Sequence, residues 1–171
     1  HNQVPDSQSD STPSAESGTG RYHHGNLKEA LINTFLQLLE TEGVEKISMR
    51  KLATLNGVAP TAVYNHFCSK EALQVAVKTQ CLNHFADYLD ASEAKVSDPK
   101  QGITEIGKAY FNYSQIHNQY FHLIMSTPVP DELVTDELLG AGMRAEASIR
   151  NTVVALLEQH GLPSSQYNEG L

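Results

Sequence analysis

The chain has 171 residues, 40% of them apolar, which is enough to bury a core, and it contains no run of 18 apolar residues that would span a membrane. Val4 is the one sizeable aliphatic residue among the first twenty, a composition that does not fit a secretory signal peptide and favours the cytoplasm. The net charge of −8 is uneven, because residues 21–80 carry seven Lys and Arg against five Asp and Glu, whereas residues 81–171 carry five against twelve.

The first predicted element is a polar tail. Residues 1–20 are rich in Ser, Asp, Gly and Gln and show no periodicity, which predicts a disordered segment. From Asn26 the pattern becomes helical, and apolar residues recur on one face at Leu27, Ala30, Leu31, Phe35, Leu38 and Leu39. Asn26 with Glu29 resembles a capping box, and Gly43 fits a helix C-terminus, so the first helix is predicted over 26–42.

Two short helices are predicted next. Ser48 is a suitable N-cap for the first of them, whose inward residues are Met49, Leu52 and Ala53 and which stops at Asn56-Gly57. Pro60 then fits the first position of a third helix over 60–67, with Val63 and Phe67 inward. Two short helices joined by a tight glycine-containing turn indicate a helix-turn-helix, and the preceding helix completes a three-helix core.

The rest of the chain is also predicted to be helical. Ser69 begins a long helix over 69–89, a polar break follows at about 91–100, and residues 102–126 form one helix dense in aromatic residues. The segment 127–130 interrupts the pattern, and a last helix is predicted over 135–160. No strand-like alternation occurs, so the predicted fold is all-α. Cys68 and Cys81 are expected to be free thiols, because a helix would hold them about 20 Å apart, beyond the reach of a disulfide.

The third helix carries residue types that recognise DNA. The second helix of a helix-turn-helix lies in the major groove with its first residues near base edges, here Pro60, Thr61, Ala62, Tyr64 and Asn65. Thr61 and Asn65 can bond to bases. Phosphate contacts are expected from Tyr64, His66, Lys70 and Ser48, with Arg50 and Lys51 adding positive charge nearby. Arg21, ahead of the first helix, could reach the adjacent DNA backbone or the minor groove. The alternative is that such residues are ordinary: Phe67 is expected in the core, and an isolated His66 is more often a solvated surface residue.

The combination of these segments strongly resembles the DNA-binding domain of TetR-family repressors. The resemblance covers about residues 22–89 and is carried by the stretches 21–27, 48–53, 57–67 and 69–73, with Tyr64, His66, Phe67 and Lys70 as its most specific element. It implies that Tyr64, His66 and Lys70 grip phosphates and that Thr61, Ala62 and Asn65 face bases. Many relatives place Ser or Thr where this chain has Ala59, so a contact from that hydroxyl is not expected.

The resemblance also implies a C-terminal helical domain that binds a small effector and forms a homodimer. Residues that could line an effector pocket are His84, Phe85, Tyr88, Tyr110, Tyr113, His117, Phe121 and Met125. The alternative is that most of them are core. Relatives usually end in two further helices that build the dimer interface, whereas this chain stops about ten residues past its last predicted helix. The effector domain is therefore expected to be incomplete, or the chain dimerises otherwise.

The expected organisation is a tail over 1–20, a DNA-binding domain over 21–70 and a helical effector-binding domain over 71–171. The expected function is transcriptional regulation, with repression of a palindromic operator and release by an effector that tilts the helix 69–89. Activation, or a protein-interaction module, is the alternative. No Gly-rich phosphate loop, metal-ligand spacing or nucleophile elbow appears, so no enzymatic activity, cofactor or metal site is expected.

Overall fold

The structure is a computed structural model that describes residues 26–93 and 96–163, and within these ranges the regular structure is entirely helical. The first three helices, termed the head, are α1 (Leu27–Glu42), α2 (Met49–Leu55) and α3 (Pro60–Tyr64). The remaining helices, termed the body, are α4 (Lys70–Glu93), α5 (Pro99–Ile116), α6 (Asn118–Ser126) and α7 (Asp136–Gln159). Short 3-10 helices lie at Val44–Lys46 and Asp131–Leu133. The all-α prediction is confirmed, and the predicted tail lies outside the described residues.

The first helix begins and ends as its sequence predicts. The Asn26 side chain accepts a hydrogen bond from the Glu29 N–H at 3.3 Å, and its amide group in turn contacts the Glu29 carboxylate. At the other end Gly43 adopts a φ of 79°, a left-handed value that favours glycine, and its N–H bonds to the Leu39 carbonyl. The inward face of α1 places Leu31, Phe35 and Leu39 in the core.

The second helix and the turn that follows also match the prediction. Ser48 caps α2 by accepting the Lys51 N–H at 3.1 Å, and Met49, Leu52 and Ala53 are buried. Gly57 has a φ of 66°, which allows the tight turn into α3. Ala59 is the N-cap of α3 and supplies no side-chain bond, as expected for alanine.

The third helix is shorter than predicted. It ends at Tyr64 and not at Phe67, because the N–H groups of His66 and Phe67 both bond to the Val63 carbonyl at 3.0 Å and tighten the last turn. This turn directs Phe67 into the core, where it is 5% exposed. Ser69 then caps α4 by accepting the Ala72 N–H at 3.1 Å.

The body differs from the prediction at one point. The single helix expected over 102–126 is two helices, α5 and α6, which meet at His117. His117 still donates its N–H to the Tyr113 carbonyl at 2.8 Å, but its ψ of 48° turns the following peptide away from the helix axis. Because of this break, α6 leaves the line of α5 and packs against both α1 and α4.

The helix α4 connects the head to the rest of the body. Its buried side chains join one core that includes Phe35 of α1 and Tyr113 of α5. Polar contacts fasten α7 along it: Arg144 bridges Asp87 and Asp90, and the Thr152 hydroxyl donates to Glu93 at 2.9 Å. Cys68 is exposed, Cys81 is buried and both are free thiols. In the described ranges no helix is both long and apolar enough to cross a membrane.

Candidate functional site

The outer face of α3, defined here as Thr61, Tyr64, Asn65 and His66, is a polar and aromatic surface. All four residues are exposed, and Tyr64 keeps 52% of its surface in solvent. The face is held from behind by Val63, which is 0% exposed, and by Phe67. A short helix anchored by two buried apolar residues can therefore present these four side chains without using them for folding.

Within the described residues, the side chains on this face have no polar partner. Thr61, Tyr64, Asn65 and His66 make no side-chain hydrogen bond or ion pair to another described residue. Pro60 is exposed and Ala62 is half-buried, so both lie along the same helix with their side chains partly accessible. An exposed tyrosine beside unpaired amide, hydroxyl and imidazole groups is a surface suited to bases and phosphates.

The start of α2 contributes the second group of candidate residues. Ser48 and Arg50 are exposed, and the Ser48 hydroxyl already accepts the Lys51 N–H. The Lys51 ammonium pairs with the Glu42 carboxylate at the end of α1. Arg50 is therefore the freer cation of the two, since it forms no ion pair with any described residue. Arg21 lies outside the described residues.

Lys70, at the start of α4, has a structural contact that the sequence did not reveal. Its ammonium group donates to the Val44 carbonyl at 3.0 Å, and the side chain is half-buried. Val44 belongs to the 3-10 helix after α1, so Lys70 ties the beginning of α4 to the end of α1. An ammonium group has three donors, which leaves Lys70 able to contact a phosphate as well.

Asn56 is a second residue whose role only the structure shows. It is 2% exposed, and its amide group donates to the Leu52 carbonyl at 2.8 Å and to the Thr34 hydroxyl at 3.1 Å. These bonds fix the turn of the helix-turn-helix against α1. The sequence marks Asn56 as a helix end, but burial and a partner 22 positions away are tertiary facts.

The residues predicted to line an effector pocket lie close together, but their rings pack against each other. The aromatic cluster, defined as His84, Phe85, Tyr88, Tyr110, Tyr113, His117 and Phe121, centres on Phe85 and Tyr113, whose ring centroids lie 4.7 Å apart. Tyr113 is 0% exposed and Phe85 is 3% exposed. Met125 lies at the edge, where it accepts a long contact of 3.8 Å from the Tyr110 hydroxyl. An effector among these rings would have to displace them, so their role in effector binding stays a prediction.

One side of the aromatic cluster carries titratable groups from four parts of the fold. His84 Nδ1 lies 2.9 Å from the Tyr113 hydroxyl, and its ring centroid is 4.8 Å from that of His117. Glu40 of α1 faces His117, with 3.7 Å between Oε1 and Nδ1. Burial, together with the neighbouring His117, lowers the pKa of His84, and burial raises the pKa of Tyr120 to about 12.

The sequence analysis did not include Glu40 and Tyr120 in this group. Glu40 reaches it from α1, which is distant in the chain, whereas Tyr120 lies three positions after His117 and stacks on its ring. Burial also raises the pKa of Cys81 to about 12, which leaves its thiol protonated and unreactive. In residues 26–93 and 96–163 no group of three or more His, Cys, Asp and Glu is arranged to hold a metal ion.

Comparison with known sequences finds one family. Residues 31–77 match the family described as bacterial regulatory proteins, tetR family. The matched segment begins inside α1, contains all of α2 and α3 and ends within α4. It therefore includes the outer face of α3 and the buried residues that support it. No curated protein matches the chain.

Solved structures are similar over most of the chain. A putative tetR family transcription regulator from Shewanella sp. PV-4 is 25% identical, with a TM-score of 0.53 over 79% of this chain and 70% of that one. The tetR family regulator PfmR from Thermus thermophilus is 21% identical, with a TM-score of 0.54 over 76% and 71%. A putative regulatory protein with 21% identity and a TM-score of 0.60 is matched over 76% of this chain, which spans 62% of its length.

Proposed function

We propose that this chain, whose residues 31–77 match the tetR family of bacterial regulatory proteins, is a member of that family and a cytoplasmic repressor that binds a palindromic DNA operator and is released by a small effector. The observation that carries the proposal is the outer face of α3. Its four exposed side chains have no internal partner among the described residues, while Val63 and Phe67 hold the helix rigidly from behind. The proposal includes no catalytic step.

The proposed DNA contacts follow from this geometry. The start of α3 enters the major groove, where Thr61, Ala62 and Asn65 meet base edges and Pro60 fixes the first turn. Tyr64, the last residue of α3, and His66, in the turn that follows it, meet phosphates. The exposed Arg50 and Ser48 at the start of α2 contact the backbone from the neighbouring helix, with Lys51, Lys70 and Arg21 adding positive charge.

The proposed organisation assigns residues 21–70 to DNA binding and residues 71–171 to effector binding. The helix α4 contacts α1 in the head and α5, α6 and α7 in the body, so a tilt of α4 moves one relative to the other. A homodimer presents two heads to half-sites about 34 Å apart, and a change in that spacing costs contacts. Coupling of about 1–3 kcal/mol changes operator affinity about 5–150-fold.

The test begins with genomic DNA captured by the purified protein, followed by titration of the best site at two salt concentrations. We expect a short palindrome whose affinity falls steeply with salt, since each neutralised phosphate contributes a slope of about −0.9 in log K against log salt. Tyr64→Ala should weaken binding at least about tenfold but leave that slope nearly unchanged, because a hydroxyl group that bonds to a phosphate does not neutralise its charge. A transcription reporter carrying the site distinguishes repression from activation.

The matched control is Phe111→Ala, which removes an aromatic ring that is 64% exposed on α5, far along the chain from α3. It should leave DNA binding unchanged. Tyr64→Ala is a cleaner test than Lys70→Ala, because Lys70 also bonds to the Val44 carbonyl and its loss perturbs the fold. If no sequence is enriched, or if Tyr64→Ala binds DNA as well as Phe111→Ala does, the regulator proposal is wrong and the alternative of a protein-interaction module is favoured.

A further inference from the structure

A cleft of about 460 Å³ lies between the head and the body, away from the aromatic cluster. One wall is formed by the first turns of α1 and by His66 and Phe67, which directly follow α3. The body contributes residues of the segment 132–137, termed the body wall, and residues of α4. Its volume falls within the range of about 300–1,000 Å³ that is typical of small-molecule sites. The cleft therefore has room for a small organic ligand.

Phe67 and several residues of α4 give the cleft an apolar inner surface, and the polar Gln80 of α4 is exposed. Phe67 and Val75 are each 5% exposed, and Ala72 and Ala76 lie beside them. The buried polar side chain at the bottom, Thr79, already donates its hydroxyl proton to the Val75 carbonyl at 2.9 Å. An apolar group placed against Phe67 and Val75 would bury hydrocarbon surface, and the Thr79 hydroxyl would keep its partner.

The rim of the cleft is charged, and the charge is biased toward acidity. Glu132 and Glu137 stand on the body wall, and neither forms an ion pair or hydrogen bond with another described residue through its side chain. Among the described residues that line the cleft, the single ammonium group is that of Lys28, which lies 5.9 Å from the centre of the Phe67 ring on the head wall. A ligand whose positive end faces the body wall would neutralise the unpaired carboxylates.

We propose that this cleft binds an organic cation with an apolar arm, the arm against Phe67 and Val75 and the cationic end against Glu132 and Glu137. The ligand site itself is independent of the function proposed above. Only the role of the ligand as an effector of DNA binding rests on that function. An occupant would contact the residues just after α3 and the body wall at once. It would thereby fix the angle between the head and α7, whose first turn contains Glu137.

The test uses the full chain without DNA and two probes of matched shape and opposite charge, 4-phenylbutylammonium and 4-phenylbutyrate. Calorimetric titration at low salt should show one saturable site for the cation, with a dissociation constant of about 0.1–1 mM for a ligand of this size. The anion should bind at least about tenfold more weakly. Methyl resonances of Ile32 and Val75 should shift on titration, and those of the exposed Met143 on α7 should not.

Two variants test the assignment of the walls. Glu132→Gln combined with Glu137→Gln should weaken the cation at least about tenfold, whereas the control Glu146→Gln, an exposed carboxylate on α7 outside the cleft, should not. Val134→Trp fills the cleft from a residue that is 39% exposed, so the fold is retained while binding is lost. Because the chain contains no tryptophan, the new indole also reports folding.

Three results would overturn the proposal: no binding of either probe, equal binding of both, or resonance shifts confined to the α7 face around Met143. If the cation binds but no operator is found, the ligand site is supported and the proposed regulator function is contradicted. If an operator is found but the cation does not bind, the regulator function is supported and the ligand site is contradicted.

Discussion

Asn56 provides a sharp test of how the head is held together, because it is a neutral polar residue in a buried place. Its amide group donates two hydrogen bonds, to the Leu52 carbonyl and to the Thr34 hydroxyl. Asn56→Ala removes both, and each is worth about 0.5–1.5 kcal/mol, so the free energy of unfolding should fall by about 1–3 kcal/mol. No buried partner is left unpaired. The Thr34 hydroxyl also donates to the Ala30 carbonyl at 2.9 Å, and the Leu52 carbonyl also accepts the Asn56 backbone N–H at 3.0 Å.

Asn56→Asp keeps the shape of the side chain but removes the donor and adds a buried charge. Among the described residues, the hydroxyl of Thr34 is the one side-chain donor that contacts this position, so the loss at neutral pH should exceed that of Asn56→Ala and reach about 3–5 kcal/mol. Burial raises the folded-state pKa of the introduced carboxyl above its unfolded value of about 3.9. Stability is therefore greatest below the unfolded pKa and is lost as pH rises through the folded one.

The assay is urea unfolding followed by far-ultraviolet circular dichroism at neutral pH and at about pH 5, each variant being compared with the parent chain at the same pH. The deficit of Asn56→Asp should shrink by about 1 kcal/mol or more in acid, and that of Asn56→Ala should not change. The control is Asn65→Asp, the same substitution at an exposed position, which should shift stability by less than about 0.5 kcal/mol. The reasoning is refuted if Asn56→Asp is no worse than Asn56→Ala at neutral pH, or if its deficit does not depend on pH.

Two further predictions concern the core and the titratable groups. Phe67→Ala should lower the free energy of unfolding by about 3–5 kcal/mol, since the ring is 5% exposed, and a thermal melt showing a loss below about 1 kcal/mol would contradict its assignment to the core. The pKa of His84 is lowered by burial from its usual 6.5, so the unfolded chain takes up the proton first, and stability should fall as pH drops from 6.5 toward the folded-state pKa. Melting temperatures measured across that window should decline less for His84→Gln than for the parent chain, and identical slopes would exclude His84 as a cause.

Local signals predicted the head well. Side-chain caps at Asn26 and Ser48 and the left-handed glycines Gly43 and Gly57 act within one or two turns of the chain, and each is found where the sequence places it. The inward residues of α1 and α2 followed from helical spacing alone. The end of α3 was missed by three residues, because the burial of Phe67 and the cap at Ser69 compete with continued helix.

The body was predicted less completely. Composition located its helical segments, but nothing in the residues around His117 marks a helix boundary as strongly as glycine or proline would. The break is stabilised by tertiary packing, because it lets α6 pack on α1 and α4. The aromatic residues were correctly grouped by type and spacing, yet whether such residues line a cavity or fill a core depends on how closely three helices approach.

The sequence by itself determined the helices, the helix-turn-helix and the residues that face outward from α3, since these depend on hydrogen bonds and periodicities that extend over a few residues. Only the tertiary structure decided that Asn56 is buried against Thr34, that Lys70 is bonded to Val44, that the aromatic residues pack ring against ring, and that a cleft opens between Phe67 and Glu132. Each of these depends on segments far apart in the chain meeting at contact distance, and their separation is set by the packing of the whole core.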